Sequence, residues 1–84
     1  MSIPKVSIEQ VKAARALLRW SQNDLAGASG ISIPTIKRLE ADTGILGGRD
    51  TTVDSIRLAL ESAGVEFIAE NGGGVGVRLR EKNG

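Results

Sequence analysis

A turn of about three residues is all that separates one helical segment from the next at the centre of this chain. Gly30 closes a segment that Ser21 opens, and Ser32 opens another at once. Glycine accepts the left-handed turn that ends a helix, whereas serine accepts a hydrogen bond from free backbone N–H groups and so begins one. Pro34 falls in the first turn of the later segment, where a missing N–H costs little. With so little chain between them, the two helices must cross at close range. Ala26 is small enough to allow the crossing, Ile31 plugs the corner, and Leu25, Ile36 and Leu39 hold the pair together.

Two further helices flank this pair. Ser7 with Gln10 three residues later reads as a capping box, and Val11, Ala14 and Leu18 recur at helical spacing with Leu17 beside them. Trp20 and Ser21 end that helix, with Trp20 expected as a lid on the core. Residues 41–50 hold Gly44, Gly47 and Gly48 and read as a flexible loop. A fourth helix starting near Thr51 or Thr52 presents Val53, Ile56, Leu60 and Ala63 on one face until Gly64 stops it. Gly27, inside the second helix, costs about 1 kcal/mol against alanine and has no evident purpose.

After Gly64 the apolar period changes from helical to alternating. Val65, Phe67 and Ala69 share one face, Val75, Val77 and Leu79 another, and Asn71-Gly72-Gly73-Gly74 lies between: a β-hairpin. If both apolar rows face one side, a three-residue loop at 71–73 sets Phe67 opposite Val77, Val65 opposite Leu79 and Glu66 opposite Arg78. The opposite-charge pair supports that register. A two-residue loop would turn the valines outward. The run Gly72-Gly73-Gly74-Val75-Gly76 is not a nucleotide cradle, because a strand follows it and no lysine is correctly placed.

At 84 residues the chain is expected to be one domain, with a helical core over about 7–64 and the hairpin over about 65–80. It has no histidine, cysteine or tyrosine, which removes the usual nucleophile–base pairs and thiolate metal sites. No enzyme activity, cofactor or metal is therefore expected. No window approaches a membrane span, and Met1 to Lys5 holds no apolar signal region, so a cytoplasmic location is expected. The formal net charge is only +1. Residues 1–50 carry seven positive and five negative groups (+2), and residues 51–84 carry four and five (−1), so an anion-facing surface belongs to the first half.

Two short helices joined by a glycine-bearing turn form a helix-turn-helix. The stretch resembles the phage repressor/Cro-like (XRE-type) helix-turn-helix family through Arg15, Ser21-Gln22, Leu25-Ala26, Gly30, Ile31-Ser32, Ile36 and Leu39-Glu40, over about residues 8–62. The resemblance implies a mainly α fold, a four-helix lambda-repressor-like DNA-binding domain, here carrying a C-terminal β-hairpin where the family usually continues with a fifth helix. It implies that Arg15 and Glu40 form a structural ion pair between the first and third helices. It also implies that the third helix enters the major groove of double-stranded DNA. Ile33, Pro34, Thr35 and Arg38 then become base-reading candidates, although glutamines are common in the family at the positions of Ile33, Pro34 and Arg38. Ile33 and Pro34 can pack on a thymine methyl, while Arg38 can grip a guanine through O6 and N7. Gln22, Lys37, Arg49 and Arg19 become phosphate candidates.

The expected function is sequence-specific DNA binding by a transcriptional regulator of repressor type. A homodimer is expected, with the two third helices about 34 Å apart and the hairpins joined through an outer face bearing Ile68 and Gly76. Two alternatives stand beside these readings. The hairpin can simply cap the chain's own core. The chain can also serve as a protein–protein module, antitoxin-like, whose hairpin or 41–50 loop docks a partner such as a toxin.

Overall fold

Three serines start three of the four helices found among the described residues. The structure, a computed structural model, describes residues 6–47 and 50–80. Helix α1 spans Ile8–Leu18, and the Ser7 box is complete: Gln10 N donates to Ser7 Oγ at 3.0 Å and Ser7 N donates to Gln10 Oε1 at 2.9 Å. Helix α2 (Gln22–Ser29) has the same reciprocal arrangement between Ser21 and Asp24. Helix α3 (Ile33–Glu40) follows Ser32, with Pro34 in its first turn. Helix α4 spans Asp50–Ser62, beginning just ahead of the threonines expected to open it. Gly30 is left-handed at the end of α2 (φ +75°), as the short turn requires.

The strands are β1 (Val65–Ile68) and β2 (Gly76–Leu79), paired antiparallel. Their register sets Val65 opposite Leu79, Glu66 opposite Arg78 and Phe67 opposite Val77, as parity and charge predict. Pairing nevertheless stops at Ile68–Gly76. The connection is therefore longer than the three residues expected, and Ala69 and Val75 lie exposed within it. Parity fixes which residues face each other but not where a ladder ends.

The core gathers Ile8, Val11 and Ala14 of α1, Leu25, Ile36, Ile56, Leu60 and Val65, all essentially without solvent contact. Burying each of the larger side chains contributes about 1.5–3 kcal/mol. Trp20, Leu39, Phe67 and Val77 pack partly buried around this centre. Leu17 and Leu79, expected inside, are instead 43% and 45% exposed. Helix α3 packs on α2 and α1, whereas β1 lies on α4 and β2 along α1.

Two features escape a local reading of the chain. The 41–47 segment is not a free loop. Ile8 N donates to Gly44 O at 2.7 Å, Leu46 N donates to Val6 O at 2.8 Å, and Leu46 is buried. In addition, the Gln10 side chain, having capped its own helix, donates from Nε2 to Gly76 O at 2.8 Å and to Ile68 O at 3.2 Å. Ile68 and Gly76 are accordingly half-buried beside α1 and not an open outer face. The hairpin caps the chain's own core.

Candidate nucleic-acid interface

The interface begins with a charge the helices cannot avoid burying. Glu40 ends α3 and is only 5% exposed, and Arg15 of α1 meets it with a two-pronged grip. Arg15 Nε donates to Glu40 Oε2 at 2.8 Å and Nη2 donates to Oε1 at 2.6 Å. The third guanidinium nitrogen, Nη1, donates to the Trp20 carbonyl at 2.9 Å. A planar fork matched to a carboxylate is the strongest form of such a pair. One side chain thus ties α1 to the end of α3 and to the segment leading into α2. Burial pushes the Glu40 carboxyl up. The hydrogen bonds from Arg15 and Gln22, with the charges of Arg15 and Lys12, outweigh it and hold the group below the ordinary glutamate value.

Gln22, expected to meet a phosphate at the start of α2, is half-buried, and its Nε2 donates to Glu40 Oε1 at 3.1 Å. A primary amide carries two N–H donors, so one remains for another acceptor. Asp24 stands at the same helix start, its carboxylate already accepting from Ser21 N. That negative group competes with any incoming anion for the same helix end.

Helix α3 divides cleanly along its length. Ile36 and Glu40 face inward, while Pro34, Lys37 and Arg38 are exposed. Ile33 and Thr35 are half-buried, and the Ser32 hydroxyl donates to Thr35 Oγ1 at 2.9 Å. Among the described residues, Lys37 and Arg38 enter no ion pair. The hairpin, seated on α1 and α4, leaves this face open.

Arg19 is exposed and caps α1 in a left-handed conformation (φ 59°, ψ 38°), the only non-glycine residue among those described with a positive φ. It stands two residues ahead of the Ser21 cap. Arg49 lies outside the described residues. Lys12, one turn before Arg15 on α1 and exposed, was not singled out by the sequence. Its spacing of three from Arg15 is the signal that would have placed it on this side of the helix.

Among the described residues no group of histidine, cysteine, aspartate or glutamate could hold a metal ion, and no helix is long and apolar enough to cross a membrane. In comparison with known proteins, residues 11–50 match the sequence model of a family described as helix-turn-helix. No curated protein matches the chain.

Proposed function

Because residues 11–50 belong to the repressor/Cro-like (XRE-type) helix-turn-helix family of DNA-binding regulators, we propose that this chain is a sequence-specific reader of double-stranded DNA that regulates transcription by occupying its site. Helix α3 enters the major groove. Ile33, Pro34, Thr35 and Arg38 meet the bases; Gln22, Lys37, Arg19 and Arg49 meet the phosphates. The observation that carries this reading is the outward face of α3, where Lys37 and Arg38 are exposed while Ile36 and Glu40 anchor the opposite side. Two copies about a two-fold axis read two half-sites, each chain alone offering one eight-residue helix.

Affinity for duplex DNA at several salt concentrations tests the reading. A binder releases counterions, so log affinity should fall with log salt by about 0.9 for each phosphate contacted. With a net charge of +1, binding to random sequence is weak and the preferred sequence carries most of the affinity. Arg38→Ala should relax preference at one base position by about 1–3 kcal/mol, whereas Gln22→Ala should weaken all sequences alike. Identical behaviour of the two variants on matched and mismatched sites would sink the assignment. Fragments selected from a random pool should be palindromic if two copies bind together.

One observation favours a second reading. A groove of about 630 Å³ runs between Leu17 and Leu18 of α1, Ala63 and Gly64 after α4, and Leu79 and Arg80 beyond. In a protein–protein module this mixed polar and apolar surface beside the hairpin would take the partner, and duplex affinity would show little salt dependence.

A further inference from the structure

At the hairpin tip, beyond the last paired residues of the two strands, an asparagine precedes three glycines. We infer that Asn71–Gly72 is a site of spontaneous covalent self-modification, in which the asparagine amide is converted to an acid through a cyclic imide, and that Glu70 restrains it. This stands independently of the DNA-binding reading.

The chemistry needs only the chain and water. The Gly72 backbone nitrogen attacks Asn71 Cγ and a new N–Cγ bond forms. The Cγ–Nδ2 bond breaks, and its nitrogen leaves as ammonia with the proton given up by Gly72 N. Water then opens the five-membered imide at either carbonyl, giving aspartate or isoaspartate. No oxidant or reductant is involved.

Three features of the tip favour the reaction. Asn71 is exposed, and Gly72 has no side chain to shield its nitrogen. The backbone is permissive, since Gly72 and Gly74 have φ of +100° and +90° and Gly73 lies between them. Asn71 Oδ1 also accepts from Gly73 N at 3.3 Å, which folds the carboxamide forward over the Gly72 peptide. Against these stands Glu70, whose Oε2 accepts from Gly72 N at 2.9 Å and from Gly74 N at 3.1 Å. Attack requires Gly72 N to lose its proton. A carboxylate holding that proton opposes the loss, because a neighbouring negative charge disfavours an amide anion.

The conversion alters the tip and spares the fold. One more acid beside 11 bases and 10 acids takes the formal charge from +1 to zero, placing a second carboxylate next to Glu70. Isoaspartate adds a carbon to the backbone, but only beyond the last paired residues, Ile68 and Gly76. The strand register and the Gln10 contacts lie on the other side of that point.

The test is incubation of the full chain in mildly alkaline buffer, followed by peptide mapping with mass measurement and enzymatic labelling of isoaspartate. Circular dichroism checks that the fold persists. The peptide containing Asn71 should gain acid in both product forms. Asn23, held inside α2 and followed by Asp24, should stay an amide; Asn83 falls in a separate peptide. Glu70→Gln should speed conversion roughly fivefold, the effect of about 1 kcal/mol. Gly72→Ala should slow it, because a side chain there shields the nitrogen and resists positive φ. Conversion of Asn71 no faster than Asn23 overturns the site, and an unchanged or slower rate in Glu70→Gln overturns the restraint.

Discussion

Arg19 occupies a backbone conformation that glycine would hold more cheaply, and replacing it should separate stability from DNA affinity. At φ 59° and ψ 38° an L-residue pays about 1–2 kcal/mol for the left-handed turn. Arg19→Gly removes that strain and keeps the backbone N–H bond to Ala16 O, which is 3.1 Å long. Glycine's greater freedom in the unfolded chain takes back about 0.4–1 kcal/mol. The net gain should be about 0.5–1 kcal/mol, or roughly 2–8 °C in melting temperature for a domain of this size. If the guanidinium contacts a phosphate, the same substitution weakens duplex binding on every sequence and flattens the salt dependence by about 0.9. Arg19→Ala completes the comparison, since it loses the charge and keeps the strain. It should bind as weakly as the glycine variant without the rise in melting temperature. Thermal melts by circular dichroism and fluorescence anisotropy on duplex DNA supply both readouts. A glycine variant that melts lower refutes the strain; one that melts higher with an unchanged salt slope refutes the phosphate contact.

Two further substitutions should each close their stability gap to the native chain in acid, one because the native chain weakens and the other because the variant recovers. Glu40 has a lowered carboxyl pKa in the folded chain, so its contribution is fully present above the unfolded glutamate value of about 4.3 and is lost as pH falls through the folded value. Glu40→Gln should cost about 2 kcal/mol at neutral pH by weakening the buried Arg15 pair. Chemical denaturation should show the gap to the native chain closing in acid; a gap that stays constant refutes the assignment. Gln10→Glu keeps the acceptor for Ser7 N but loses both donations to Ile68 O and Gly76 O, costing about 2 kcal/mol at neutral pH. A protonated acid regains one donor, so the folded form should bind that proton above the usual glutamate range and the variant should recover as pH falls. A Gln10→Glu chain as stable as the native one from neutral pH down into acid would remove Gln10 from this role.

The parts legible in the sequence are those governed by neighbours a few residues apart. Ser7 with Gln10, Ser21, Ser32 and Gly30 mark helix ends because caps and left-handed turns are local events. The hairpin register was also readable, since parity and the Glu66–Arg78 pair act between strands close in the chain. The Arg15–Glu40 pair came from family resemblance and not from spacing. What stayed hidden depends on distance or on the absence of a signal. The amide of Gln10 reaches carbonyls 58 and 66 residues away. Nothing local says that Leu46 is buried or that Gln22 bonds to Glu40. Arg19 hides its left-handed turn because no glycine announces it.

A two-stranded ribbon is marginal alone in water, and this one ends against an amide side chain that bridges the carbonyls of its last pair. Gln10 thereby acts as one extra rung on the ladder, contributed by a helix in place of a third strand. Because the same side chain also fastens the first turn of α1, the ribbon cannot peel away without fraying that helix. Helix α1 and the hairpin should therefore melt as one cooperative unit.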